Sequence, residues 1–386
     1  MAVTLTELAY KIGIALLVVI TSGCAQYSAE VSDIPRLMFD GKEITADQAK
    51  TLTITEDPIA LSDEMRRFVD RYIVPIHDKS ARITALNNAL FNQALIGIEY
   101  DNGATTTAIE AYNSGRANCV GFANVFVAMG RYAGLNTRYQ QVKVKPNWER
   151  GDGLLYVPLH INVVIKAKMG SSFVADIAKQ RYVRASSKTI IKDNQAHAQY
   201  FNNVAMDALA RDDFRSSYSY MVKSIELAPN LEFLWSNLGY LFRRNNQFEA
   251  AESSYLTALA LDSSSRNAMK NLAVLYQSYD RDIEAEPLLG MVEKLNKNNP
   301  YGYANKAFEF AIKADWSNAM KNINKALKLR PDEIEFHLAK MKYLFEAGET
   351  SKALLARRAA DSVAANRRQV ASIKGVITQY AELLEP

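Results

Sequence analysis

Cysteine is nearly absent from this 386-residue chain: Cys24 and Cys119 are its two thiols. Two cysteines build neither a disulfide framework nor a cysteine-rich zinc site, so each is read alone. Glycine and proline are sparse, at 17 and 10, which excludes a collagen-like or low-complexity chain. Charge of one sign is not in excess. Forty-six Lys plus Arg against 42 Asp plus Glu leave +4, too little to steer the protein onto nucleic acid, and none is expected as a partner. The apolar run Ile12 to Ile20 is too short to span a bilayer stably. What remains is 48% hydrophobic and 23% charged, the composition of globular domains, with length for about two, each burying its own core.

The N-terminal run IGIALLVVI has the length of a signal-peptide core and ends in Thr21-Ser22-Gly23-Cys24. That ending resembles the bacterial lipobox, with Thr21 where leucine is usual. The resemblance implies that residues 1–24 are a lipoprotein signal peptide and that Cys24 becomes the lipidated first residue. Several buried acyl chains would then give stable membrane attachment. Ala25, where an Asp would imply inner-membrane retention, implies the periplasmic face of the outer membrane. Residues 25–56 are polar and aperiodic, and are expected to be a tether with at most a short strand.

From about residue 198 the chain repeats at a constant 34-residue period, in frames starting at Ala198, Glu232, Arg266, Pro300 and Ile334. The second frame carries Trp235, Leu238, Gly239, Phe242, Ala251, Tyr255 and Ala258, and resembles the tetratricopeptide consensus. Small residues recur at Ala205, Gly239, Ala273 and Ala307, and again at Ala251, Ala285, Ala319 and Ala353, letting paired helices approach closely. Five repeats over 191–361 are expected, with Ser217 and Met341 departing from the small-residue pattern and Pro287 kinking a helix. Val363, Val370, Ile373, Ile377, Tyr380 and Leu384 predict a capping helix over 362–386. Such an array presents a groove for a protein or peptide partner. Its aromatic and alanine stripes are core, and Arg357, Arg358, Arg367 and Arg368 read as a solvated face.

Residues 57–190 show helical patterns over Ser62 to Tyr72 and Lys79 to Phe91, then strand and turn signals. Cys119 opens an apolar helix closed by Gly134. A thiol at a helix N-terminus sits where the dipole and unpaired N–H groups favour the thiolate, and its own N–H can serve an oxyanion. Downstream, LYVPLHINVVI alternates, putting Tyr156, His160 and Asn162 opposite an apolar face. If the following turn closes a hairpin with Ile165 facing Ser171, His160 lies opposite Asp176, within reach of an imidazole–carboxylate bond. Cys119, His160 and Asp176 then form a nucleophile, a general base and an orienting carboxylate.

Gly115-Arg116-Ala117-Asn118-Cys119-Val120-Gly121, the segment from Gly134 to Tyr139, and His160-Ile161-Asn162-Val163 resemble the transglutaminase-like superfamily of papain-type folds. Asn162 stands where an aromatic is frequent, and Val174-Ala175-Asp176-Ile177 is the aspartate motif. Ala196 to Asn203 looks like the junction of bacterial proteins that fuse such a domain to tetratricopeptide repeats. The implied fold is an α+β transglutaminase-like domain followed by an all-α tetratricopeptide superhelix. The implied chemistry is thiol-dependent acyl transfer from amides: peptidase, amidase or transglutaminase. By the same resemblance Asn113 is a candidate oxyanion donor. No metal or cofactor is called for. Two other functions compete: a non-catalytic assembly lipoprotein that binds through its repeats, and a peptidoglycan amidase or endopeptidase, for which no wall-binding module is visible.

Overall fold

The computed structural model of the protein describes residues 27–52, 56–144, 159–166, 172–177, 185–295 and 299–367. They fall into two compact units, the first ending at Leu289 and the second beginning at Gly290. The signal-peptide segment with Cys24, the turn at 167–171 and residues 368–386 lie outside the described residues.

In chain order the first unit opens with a hairpin, β1 (Leu37–Phe39) and β2 (Lys42–Ile44), and a short helix, α1 (Ala46–Leu52). Then come α2 (Asp63–Tyr72) and α3 (Lys79–Phe91), each started by an N-cap side chain, Ser62 and Asp78, that accepts a backbone N–H of the first turn. A short parallel pair, β3 (Glu99–Tyr100) and β4 (Arg116–Ala117), flanks α4 (Ala108–Ser114). Next are α5 (Cys119–Tyr132) and a four-stranded sheet of β5 (Thr137–Val144), β6 (Leu159–Lys166), β7 (Ser172–Ala175) and β8 (Ala185–Ile190). The sheet order is β7-β6-β5-β8, with every neighbouring pair antiparallel. One face packs on α5, where Phe122, Val125 and Phe126 share a core with Tyr139, Ile161, Val163 and Ile165.

The rest is helical. Five pairs follow: α6 (Asp193–Ala210) with α7 (Phe214–Leu227), α8 (Glu232–Arg244) with α9 (Phe248–Leu261), α10 (Arg266–Gln277) with α11 (Asp282–Leu295), α12 (Pro300–Ile312) with α13 (Trp316–Leu329), and α14 (Ile334–Glu346) with α15 (Thr350–Arg367). From α7 onward, alternate helices start at the 34-residue spacing of the sequence frames. The turn inside each pair passes through a left-handed residue at the same spacing: Asp212, Asn246, Asp280, Ala314 and Gly348. Asp, Asn and Gly tolerate that conformation; Ala314, at φ 54, is the strained member of the series. Gly239 is needed for a different reason, since a Cβ there would lie 2.6 Å from the ring of fully buried Tyr255. Pro287 falls inside α11, which continues through it, and Met341 is buried in a small cluster with Leu344 and Ala353. The expected capping helix is not separate where it is described, because α15 runs unbroken from Thr350 to Arg367.

Two boundaries differ from the sequence reading. Helix α6 does not begin a separate domain at residue 191. Its Ala196, Tyr200 and Phe201 lie in the core of the sheet domain, while its Ala198, Ala205 and Leu209 lie in the core of the first repeats. One helix therefore serves both cores and leaves no linker between them. Residues 27–52 are also not a tether. Ala29, Ile34, Leu37 and Ala49 are buried against Tyr218, Met221 and Phe242 of the repeats. The backbone of this strap is received by repeat side chains: Tyr218 donates its hydroxyl to the Pro35 carbonyl at 2.8 Å, Asn245 donates to the Met38 carbonyl at 2.7 Å, and the Gln247 side-chain oxygen accepts the Met38 N–H at 2.9 Å.

Candidate active site

Helix α5 begins where Asn118 turns the chain from extended into helical geometry. Its side-chain oxygen accepts the N–H groups of Val120 and Gly121 at 3.1 and 3.0 Å, taking the second and third amides of the helix. The first, that of Cys119 itself, is not among the cap's donors. The capping residue is held from behind: its N–H donates to the Ala104 carbonyl and its amide nitrogen to Thr105 Oγ1, at 2.8 and 3.0 Å. Asp207 of α6 also hydrogen-bonds Thr105, so the 104–107 loop braces the cysteine helix from two sides. Gly121 makes this possible, because a Cβ at that position would run into Thr106 Oγ1. The glycine beside the cysteine is thus explained by close approach. Cys119 itself is half-buried, packed against the core on one side and open on the other.

His160 stands at the start of β6, and its Nε2 lies 2.9 and 2.8 Å from the two carboxylate oxygens of Asp176. The hairpin register differs from the one expected. Val163 pairs with Ala175 and Ile165 with Phe173, so the strands are offset by two residues from that expectation; the ladder ends at Ala175, and Asp176, one residue beyond it, falls opposite Asn162 in this register, not His160. The last pair is Lys166 with Ser172. A slip of two keeps every side chain on its face, and the carboxylate reaches His160 diagonally while its direct neighbour, Asn162, donates to Oδ2 at 3.1 Å. The alternation in β6 does not separate core from solvent either: residues 160 to 165 are all buried, His160 to 1% exposure. It separates a wholly apolar buried face from a mixed buried one, on which His160 and Asn162 are joined by Val164.

Burial alone would pull the His160 imidazole down, but its hydrogen bonds to the Asp176 carboxylate and the Cys119 sulfur, with the charge of each, outweigh it and push the pKa from 6.5 up to about 9. With Nε2 engaged by Asp176, the ring nitrogen left for the thiol is Nδ1. The structure therefore brings Cys119, His160 and Asp176 into one hydrogen-bonded group. It does not join Asn113 to them: that residue is exposed on the last turn of α4, with no hydrogen bond to any of the three. His197 is half-buried, edge-on to the Tyr139 ring with centroids 6.2 Å apart, and takes no part. Asn162 is the residue that sequence reasoning passed over. Its signal was a polar side chain two positions from His160 on the same face.

A thiol, an imidazole and a carboxylate in this order can activate sulfur as a nucleophile and then return a proton to a leaving group. Residues 66–200 match the family model of the transglutaminase-like superfamily, and residues 234–265 that of the tetratricopeptide repeat. No curated protein matches the chain. Among solved structures it is similar to the MamA protein, with 16% identity over 45% of this chain and 94% of that one and a TM-score of 0.29. A MamA from Desulfovibrio magneticus RS-1, residues 41 to the end, gives 15% identity, coverages of 46% and 98%, and a TM-score of 0.29. PilF of Pseudomonas aeruginosa gives 16%, 50% and 94%, and 0.31. The chain thus carries a transglutaminase-like domain followed by a helical region of the tetratricopeptide type.

Proposed function

We propose that the protein is a membrane-anchored thiol enzyme acting on protein or peptide amides, as a peptidase, amidase or transglutaminase-type acyltransferase, with its repeats binding a protein partner. The observation that carries this reading is the buried His160 imidazole, bonded to the Asp176 carboxylate at 2.8 Å and to the Cys119 thiol at the start of a helix. Cys119 sulfur, having given its proton to His160, attacks the amide carbonyl carbon. The carbonyl π-electrons move to oxygen, which the Cys119 N–H is placed to receive. Collapse of that intermediate breaks the C–N bond, and His160 donates its proton to the departing nitrogen, leaving a thioester. Water or an amine, deprotonated by His160, then attacks the thioester and expels the thiolate. Asp176 holds the imidazole and stabilises its protonated form throughout. A scaffold has no need of a half-exposed thiol against a buried imidazole–carboxylate pair.

Tetratricopeptide repeats suggest protein binding. The anchor is read from Ile12–Ile20 and Cys24, and places the protein at the periplasmic face of the outer membrane. Among the described residues no helix is long and apolar enough to cross a membrane; the anchor is tested by metabolic labelling with a tagged fatty acid, which should mark the wild-type chain and not Cys24→Ser. Equal incorporation of the label into wild type and Cys24→Ser removes the anchor from this account.

The chemistry is tested by acid-quenching the protein after incubation with a digest of periplasmic proteins and mapping adducts by mass spectrometry. A hydroxylamine-labile acyl group on Cys119, diminished in His160→Ala, is the expected result. No adduct with either water or an added amine as acceptor contradicts the reading.

A further inference from the structure

The strap covers one repeat and stops at the edge of the next. Phe39 packs on Phe214, with ring centroids 6.2 Å apart, and Lys50 pairs with Glu226 at 3.8 Å, so the strap follows α7 from its first turn to its last. Ser219 and Val222 on that helix are 1% and 0% exposed. Ser253 and Leu256 of α9 stand one 34-residue period later and are uncovered, Leu256 to 48%. Ile283 of α11, one period after Glu249, is 76% exposed. These are outer positions: α6 packs on α8 and α8 on α10, while α7 and α9 are not in comparable contact, so the second helices of the pairs lie on the wider side of the array.

Exposed singly, neither apolar residue calls for an explanation. The place where the strap ends supplies one. The Asn230 side-chain oxygen accepts the Ala29 N–H at 3.1 Å and the Ser28 hydroxyl at 3.2 Å, which fixes this end of the strap to the fold. Tyr27, 44% exposed, lines one cleft with Ser253, Leu256, Thr257 and Ala260 of α9. Three peptide steps separate Tyr27 from Cys24, at most about 11 Å of fully extended chain. Acyl chains on Cys24 therefore bring the bilayer surface to the outer side of α9, and a leash this short keeps it there.

We propose that the outer face of the second and third repeats, around Tyr27, Leu256 and Ile283, is a membrane-contact surface held on the lipid by the short leash from Cys24. The proposal rests on the reading of Cys24 as the lipidated residue. A tyrosine and two branched aliphatic side chains suit the headgroup boundary. Exposed Glu249, Asp282 and Glu286 on the same helices oppose attraction to anionic lipid, so the contact is expected on a zwitterionic bilayer. The inner side of the repeats is thereby turned away from the lipid.

The test uses the full chain carrying Cys119→Ser, purified from membranes and reconstituted in phosphatidylcholine vesicles. A fluorophore is attached at one introduced cysteine: Ser253→Cys or Ile283→Cys on the outer face, or Asn267→Cys, exposed on the first helix α10. Glu249→Cys replaces Ser253→Cys if the label there lowers the thermal midpoint. A lipid with a headgroup nitroxide should quench the outer labels several-fold more strongly than the label at 267, and iodide in solution should do the reverse. Equal quenching at all sites, in a chain whose Cys24 carries its acyl mass, would overturn the proposal and leave the anchor standing. A chain without that mass on Cys24 would remove both.

Discussion

Replacing His160 by alanine is expected to slow iodoacetamide labelling of Cys119 at pH 6 by about 10- to 100-fold. An isolated cysteine has a pKa near 8.5, so at pH 6 only about one molecule in 300 is thiolate. The His160 imidazole, which keeps its proton to about pH 9, sets a positive charge beside the sulfur, and the alanine variant removes that charge. Asp176→Asn should also slow labelling, because an amide does not stabilise the imidazolium and can hold the ring in the wrong tautomer. The same pairing has a signed consequence for stability. The folded pKa of His160 lies above its unfolded value of 6.5, so its contribution is complete below about pH 6.5 and is lost as pH rises through about 9. The thermal-midpoint advantage of wild type over His160→Ala should therefore shrink between those values. Equal labelling rates in wild type and His160→Ala at pH 6 would mean that the imidazole does not act on the sulfur.

A chain beginning at residue 56 is expected to be severely destabilised. Deleting the strap uncovers the surface that Leu37, at 0% exposure, and Ile34, at 6%, cover on the first repeats; burying those two side chains is worth about 3–6 kcal/mol. It also strands Tyr218, whose hydroxyl loses the Pro35 carbonyl, and the side chains of Asn245 and Gln247 that hold the strap backbone. Because α6 lies in both cores of the first unit, the damage should reach the sheet domain as well. Urea unfolding followed by intrinsic fluorescence should give a lower midpoint, with increased binding of a hydrophobic dye before the transition. Unfolding indistinguishable from a chain beginning at residue 25 would restore the tether that composition suggests.

The contrast between strap and repeats shows what a sequence makes legible. Ala205, Gly239, Ala273 and Ala307 repeat one contact, a close helix–helix approach, at a fixed spacing, so the pattern is visible without coordinates. Ala29, Ile34, Leu37 and Ala49 fill gaps in a surface more than 150 residues away in sequence, and their spacing follows that surface, not a helix or strand period. Helix α6 was obscured for a related reason: its two apolar faces sum to a helix with little amphipathic contrast, which resembles a junction.

The candidate site was legible because strand parity is forgiving. The assumed turn missed the register by two residues, but two is the period of a strand, so His160, Asn162 and Asp176 stayed on one face. Only the direct opposition changed, from His160 to Asn162, and with it the role of an asparagine that alternation alone marks as polar. Burial of that polar face was not legible, since alternation reads the same whether the second side meets water or protein.

The most direct measurement is the titration of the His160 imidazole, followed by NMR with ¹⁵N-labelled histidine in a chain beginning at residue 25, beside Cys119→Ser and Asp176→Asn. If the three residues act as one group, the wild-type midpoint lies near pH 9 and falls in both variants. A wild-type midpoint at or below about 6.5, indifferent to both substitutions, would contradict the account.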